Sequence, residues 1–443
     1  MSRRERAVLV GIFALVAMAL RLGFVLYSEV DQPIRADAAQ YVTCAKNLVE
    51  HGILSTETGD LPRPDSFRSP GYPAFLAVLM LCFGKTGYYV PALVLQALLS
   101  ALLVLVVYRL ARTFLAFGPA LLAAVLTALS PHLVASCGYV LTESLTANLL
   151  AMVCLSLAAW QRRATTRRAF YVGLACGLLY LLQEAVLPLL VVLIVWLGRK
   201  SMLRRTALVA LGTYLLVVGS WQVRCATTVP AGAATAGDRV LATLSHGTYP
   251  ALYHLTEENR YYPYREDVEQ PEFGRSWSKF TAVLGARVSE RPLRYVAWYC
   301  LEKPAWLWSW GIVQGQGDVL VYPVRRSFFA GFPVADAIRA GMRWLHPFCL
   351  LALLVGLASR RLPAWIVLPM LWFTILHSVF LPDPRYLVPL KPICFAAVAA
   401  GTTSVIAAVA AWRGRDKAGP AQLPGPSDPV TTRAAHSADA GCR

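Results

Sequence analysis

The chain sets one acid in chemically useful company. Asp37 lies in the polar segment 31–72, DQPIRADAAQYVTCAKNLVEHGILSTETGDLPRPDSFRSPGY, between strongly apolar flanks. If residues 37–50 are helical, Asp37, Tyr41 and Cys44 share one face at spacings of four and three, leaving Ala38, Ala45, Leu48 and Val49 for packing. A carboxylate at the first turn of such a helix can simply cap it, favoured by the N-terminal dipole. It can also take a proton from a hydroxyl nucleophile, and a base titrating near the ordinary carboxylate pKa would lose activity on the acid side. Further polar residues stand at the ends of apolar runs: Glu143 after Tyr139-Val140-Leu141-Thr142, then Glu184, then Trp221 and Arg224, and finally Asp383-Pro384-Arg385-Tyr386. Any one of them can be a helix-end anchor. Gathered on one side of a membrane they suit a lipid-linked anionic substrate, because guanidinium groups match phosphate and a hydroxyl nucleophile needs a carboxylate.

The elements that must position these residues are membrane helices. With 57% hydrophobic and 15% charged residues in 443, the chain is far too apolar for a soluble enzyme and is expected to be an all-α polytopic membrane protein. Its net charge of +17 is no nucleic-acid footprint. Nearly all of it lies in clusters at the ends of apolar runs: Arg3, Arg4 and Arg6; Arg109 and Arg112; Arg162 to Arg168; Arg199 to Arg205; Arg360 and Arg361; Arg413 to Lys417. That is a positive-inside pattern. The ten cysteines are scattered singly, without CxxC or a Cys/His cluster, so neither a zinc site nor a disulfide framework is indicated.

Residues 7–27 read as a retained signal-anchor span, with Arg21 snorkelling near its outer end. The arginines before it mark the cytoplasm and place segment 31–72 outside. The apolar run 71–83 is too short to cross a core needing about twenty residues and is expected to lie in the outer interface. Counting it as a span would put the Arg109/Arg112 and Arg162 to Arg168 clusters outside. Further spans are expected at 88–108, 115–134, 144–160, 169–182, 185–197, 206–221, 344–358, 363–381 and 386–412, about ten in all, with both termini in the cytoplasm. The organisation is then a transmembrane core over 1–222, an outer loop or cap with an interfacial helix over 223–312, C-terminal helices over 313–412 and a disordered tail over 413–443. No internal repeat of the kind found in inverted-repeat transporters is present. His132 and His377 read as satisfied hydrogen-bonding residues, His51 has no partner at metal spacing, and Trp298, Trp306, Trp308 and Trp310 read as an interface belt.

The motifs carry a family resemblance. Asp37-x-x-x-Tyr41, Arg68-Ser69-Pro70-Gly71-Tyr72-Pro73 before a short apolar helix, Leu141-Thr142-Glu143-Ser144 before a span, Trp221-Gln222-Val223-Arg224 before a long outer loop, and Asp383-Pro384-Arg385-Tyr386-Leu387 follow one another across most of the chain. This order resembles the protein O-mannosyltransferase and aminoarabinose-transferase group of GT-C glycosyltransferases. The resemblance implies a GT-C fold with a small outer cap, sitting multi-pass in a bacterial inner membrane with its active site facing the periplasm. It implies transfer of a sugar, with inversion, from a polyprenyl-phosphate carrier to a lipid, glycan or protein acceptor. It also implies that Asp37 is the catalytic base and Glu143 the acidic residue of the second outer loop, the two being the ligands of a divalent metal if one is used. Arg385 and Tyr386 then face the carrier phosphate, and Tyr41, Arg68, Tyr72 and Arg224 complete the substrate contacts. Two departures stand out. Gln183-Glu184 replaces an arginine and proline, with Cys225 in place of an asparagine; and Asp37 is single where the mannosyltransferases proper have an Asp-Glu pair, so a mannose donor is not implied. The alternatives from other classes are a lipid or polysaccharide flippase, which would carry charges at mid-membrane, and a non-catalytic assembly subunit.

Overall fold

The computed structural model describes residues 2–250, 276–312, 317–359 and 362–417. The expected disordered tail falls mostly on residues outside these. Among the described residues the chain is mainly helical, with one short strand pair. Its first half comprises α1 (Arg3–Tyr27), α2 (Asp37–His51), α3 (Gly71–Phe83), α4 (Tyr89–Ala111), α5 (Phe117–Leu129), α6 (Pro131–Ala135), α7 (Glu143–Arg162), α8 (Thr166–Leu182), α9 (Leu187–Gly198) and α10 (Arg204–Thr228). The second half adds α11 (Ala236–His246), α12 (Trp277–Glu290), α13 (Pro292–Ala297), α14 (Lys303–Leu307), α15 (Phe328–Gly331), α16 (Pro333–Ala358), α17 (Ala364–Val379) and α18 (Lys391–Lys417). A 3-10 turn over Pro384–Leu390 leads into α18.

Among the described residues six helical stretches are long and apolar enough to cross a bilayer, or seven if the pair α5–α6, bent by 46°, counts as one. Length alone therefore accounts for six or seven of the ten expected spans; α9 and α17 are shorter apolar helices and α8 has seventeen residues. Helix α3 has thirteen residues, a rise of about 20 Å, short of the roughly 30 Å hydrocarbon core. Two elements outrun their expected spans: α16 begins at Pro333 and α10 runs on to Thr228, which puts Arg224 on a helix.

Close helix approach is bought with small residues. Gly173 and Gly177, four apart on α8, lie against α10 so closely that an added Cβ would collide with the Ala210 carbonyl and the Val217 side chain. Arg21 does not snorkel. It is fully buried; its Nε donates to Ser100 Oγ at 2.8 Å, and its terminal nitrogens donate to the carbonyls of Ala17, Ala128 and Thr127. The break before Pro131 leaves the end of α5 with open carbonyls, and the guanidinium supplies the missing donors.

At one end of the bundle meet the C-termini of α1, α8 and α10 and the N-termini of α7 and α18. There β1 (Glu29–Val30) pairs antiparallel with β2 (Val324–Arg326), fastening the first connecting segment to a stretch nearly 300 residues later. Asp31 NH donates to the Pro323 carbonyl at 2.8 Å, and Arg325 pairs with the Asp31 carboxylate at 2.7 Å. Helix α2 buries Ala38, Tyr41, Val42, Cys44, Ala45 and Asn47; of the residues expected to pack, Ala38 and Ala45 are buried and Leu48 and Val49 partly so. The tryptophans expected as a belt bond inside the protein: Trp298 is fully buried and donates to the Gly247 carbonyl at 3.0 Å, and Trp308 donates to Thr374 Oγ1 at 3.2 Å.

Candidate active site

Three helix starts bring three charges together. Asp37 opens α2, Glu143 opens α7, and Arg385 lies in the 3-10 turn before α18. The turn is shaped by Asp383, whose carboxylate accepts the Arg385 backbone NH at 2.8 Å. Arg385 Nη2 donates to Asp37 Oδ2 at 2.9 Å while its Nε pairs with Glu143 Oε1. On the other side of Asp37, Arg68 Nη2 pairs with Oδ1. Arg68 is itself oriented by Gln40 Oε1 at 2.6 Å and by the hydroxyl of Tyr41 at 3.4 Å, its guanidinium lying over the Tyr41 ring. No helix amide bonds the Asp37 side chain, so it is an ion-pair partner and not a cap. The residue before it, Ala36, has φ 46°, a left-handed conformation unusual for a residue with a Cβ, which turns the chain into α2.

The electrostatics follow from this enclosure. Burial pushes the Asp37 carboxyl up, but the Arg68 and Arg385 guanidiniums overcome it and hold the group well below the usual carboxylate range. An acid limb set by Asp37 is therefore displaced far below the pH at which an ordinary carboxylate would place it. Asp383 goes the other way: full burial raises it to about 6, only partly countered by its bond to the Arg385 NH and by the Arg385 charge.

Asp37, Tyr41, Arg68, Glu143, Arg385 and Tyr386 all line one cavity of about 560 Å³. Asp37 keeps 33% of its side chain open to it, whereas Arg385 and Glu143 are buried. The same cavity is lined by a second ion pair, Glu184 with Arg239 of α11 at 2.9 Å, with Trp221 Nε1 donating to Glu184 at 3.3 Å. The remaining wall is apolar, from Leu187, Trp372, Phe373 and Leu376. Two residues expected as substrate contacts lie elsewhere. Tyr72 is fully buried behind Tyr41, its hydroxyl donating to Gln96 Oε1 at 2.8 Å. Arg224 holds the carbonyls of Asp65 and Leu54, clamping the 31–72 segment onto α10.

Glu184 was already among the polar residues gathered in the sequence, but two cavity residues escaped that reading of the site: Arg239, which belongs to none of the motifs, and His377, which was read as satisfied. His132 is satisfied, its Nε2 2.8 Å from the Trp310 carbonyl, but among the described residues neither ring nitrogen of the buried His377 has a hydrogen-bond partner. The only signal for His377 was an ionisable residue inside an apolar run.

The carboxylates that a divalent ion would use, Asp37 and Glu143, both grip Arg385, and among the described residues no three His, Cys, Asp or Glu side chains are grouped for a metal. As arranged, this donor set does not fit a divalent cation, because a guanidinium stands between its two acids.

Residues 67–223 match the family model of dolichyl-phosphate-mannose-protein mannosyltransferase. No curated protein matches the chain by sequence. Among solved structures, the Archaeoglobus fulgidus oligosaccharyltransferase, in complex with zinc and sulfate, superposes with a TM-score of 0.50 at 14% identity, covering 90% of this chain and 49% of that one. ArnT from Cupriavidus metallidurans gives TM-scores of 0.49 in the apo state and 0.46 bound to undecaprenyl phosphate, both at 14% identity, covering 90% of this chain and 60% of ArnT. The chain thus spans about half to three fifths of the length of these structures, and the likeness is one of fold. The family match takes in Arg68, Glu143 and Glu184; together with the likeness of fold it supports the resemblance to the protein O-mannosyltransferase and aminoarabinose-transferase group of GT-C glycosyltransferases.

Proposed function

We propose that the chain is an integral-membrane glycosyltransferase that moves a sugar from a polyprenyl-phosphate carrier to a hydroxyl of a lipid, glycan or protein acceptor, with inversion, at the outer face of a bacterial plasma membrane. The observation that carries this reading is the Arg68–Asp37–Arg385–Glu143 chain of ion pairs opening on a cavity of about 560 Å³. The acceptor oxygen attacks the anomeric carbon, the bond from that carbon to the phosphate oxygen breaks, and the electron pair leaves with the phosphate. Arg385 meets the charge that develops there. The acceptor proton passes to Asp37. A carboxylate held this acidic removes little proton density from an alcohol at rest. Asp37 therefore first orients the hydroxyl by accepting its hydrogen bond and takes the proton late, once the new bond to carbon has made that hydroxyl strongly acidic.

The outer-face placement is supported by charge. The basic clusters at the start of α1, the end of α4, between α7 and α8 and between α9 and α10 all lie at the bundle end opposite Asp37. The test is to incubate the purified protein with a panel of polyprenyl-phosphate sugars and to follow released carrier and glycosylated product by mass spectrometry. Release of carrier in step with product supports transfer; intact donor throughout the panel overturns it.

A further inference from the structure

We infer that His377 is a specificity-determining residue that reads a hydroxyl of the transferred sugar, an inference that rests on the glycosyltransferase reading above. His377 lies in the last turn of α17 and borders the cavity. It is 7% exposed, and neither Nδ1 nor Nε2 has a hydrogen-bond partner among the described residues. Leaving a buried polar group unmatched is costly, and folded proteins rarely do so without a reason. This protein matches comparable imidazoles: His132 and His346 bond the carbonyls of Trp310 and Trp308 at 2.8 and 2.9 Å. His377 is instead held by its ring faces alone. It stacks on Tyr386, with centroids 4.5 Å apart and planes 12° from parallel, and Phe373 one turn earlier lies 5.9 Å away. The packing fixes the ring and leaves its polar edge unmatched.

The chemistry of that edge selects its ligand. An imidazole with no carboxylate in contact offers one N–H donor and one acceptor. A hydroxyl is both donor and acceptor and can satisfy either nitrogen. A phosphate only accepts, and it has guanidinium groups nearby that suit it better. Position agrees with this division. Tyr386, on which His377 stacks, directly follows Arg385, the group expected to meet the phosphate. A sugar joined to that phosphate through its anomeric carbon would lie in the same cavity that His377 and Arg385 both line.

The test uses the full-length protein in lipid nanodiscs, with undecaprenyl phosphate as the sugar-free probe and the turned-over polyprenyl-phosphate sugar as the second. His377→Phe keeps the stacking ring and removes both nitrogens; His377→Gln restores a donor and an acceptor without the ring. In His377→Phe, KM for the sugar-bearing carrier should rise roughly five- to twentyfold with kcat nearly kept, and undecaprenyl phosphate should bind as to wild type. His377→Gln should recover part of the loss. The melting temperature of the ligand-free His377→Phe protein should not fall, whereas a purely structural histidine would lower it. Equal weakening of both probes, or a wild-type KM in His377→Phe, would overturn the assignment while leaving glycosyl transfer standing. A wild-type protein that turns over no member of the panel would overturn both.

Discussion

Replacing Asp37 by Asn is the most searching perturbation, because the structure predicts opposite changes in two measured quantities. Asn keeps the shape but can accept from only one of the two guanidiniums, since its amide nitrogen is a donor where the second oxygen accepted, and it removes the proton acceptor and one of two negative charges matched to two guanidiniums. Turnover should fall by about 10² to 10⁴, or about 3 to 5 kcal/mol of barrier. Arg385 would keep Glu143 and lose its charged partner on the cavity side, and Arg68 would keep only the neutral Gln40 and Tyr41. Both guanidiniums then become better phosphate ligands. A charge-assisted hydrogen bond of about 1.5 to 3 kcal/mol sets the scale, and undecaprenyl phosphate should bind roughly tenfold more tightly to Asp37→Asn than to wild type. Single-turnover release of carrier measures the first quantity, and equilibrium binding in nanodiscs measures the second. Near-normal turnover would remove Asp37 from the chemistry. Weakened phosphate binding would refute the reasoning that Asp37 and the phosphate compete for the same guanidiniums.

Arg385→Ala should raise KM for the donor more than for the acceptor, and Arg385→Lys should recover only part of it, since an ammonium cannot hold Glu143 and a phosphate in one plane; a change confined to the acceptor KM would count against a phosphate role. Asp383, raised to about 6 in the folded protein, binds more protons folded than unfolded between about pH 4 and 6, so its contribution to stability is largest at the acid end of that window and is lost as pH rises through 6. Melting temperatures of Asp383→Asn across pH 4 to 7 should lack this downward slope. Arg21→Ala leaves the Thr127 and Ala128 carbonyls without donors and should cost about 2 to 4 kcal/mol, read as a lowered melting temperature in nanodiscs. A reporter fused after Thr166 should give a cytoplasmic signal and one near Asp60 an outer signal; an outer signal after Thr166 would mean that α3 crosses the bilayer.

Local features were legible because one helical period fixes them. The face of α2 could be read from the spacing of Ala38, Tyr41, Cys44 and Ala45, and the α3 length from the apolar run between Gly71 and Phe83. Window hydropathy failed where charges are matched within the protein. Helix α16 starts eleven residues before its expected span because Arg339 pairs with Asp318 and Asp336, so that a polar stretch becomes a stable helix. It also missed the bend at Ser130-Pro131, since apolar composition continues through it. The candidate site lies at the far limit of legibility. Arg385 reaches Glu143 across 242 residues and Asp37 across 348, and no window contains such pairs. Motif order suggested that these residues belong together, but it could not tell Arg385, which faces the cavity, from Arg224, which holds backbone carbonyls outside it.

The burial of Arg21 bears on how the chain is made. A guanidinium buried among apolar helices is costly unless its donors are matched, and three of its four partners, Ser100, Thr127 and Ala128, belong to later segments. When α1 leaves the ribosome none of them exists, so the first helix enters the bilayer with an unmet charge and rests shallow, with its arginine at the headgroups. Its final depth waits for a stretch synthesised more than a hundred residues later. The N-terminal helix is therefore among the first to be inserted and among the last to be seated, and a nascent chain stopped before Ala128 should be a poorer substrate for assembly and an easier one for membrane proteases.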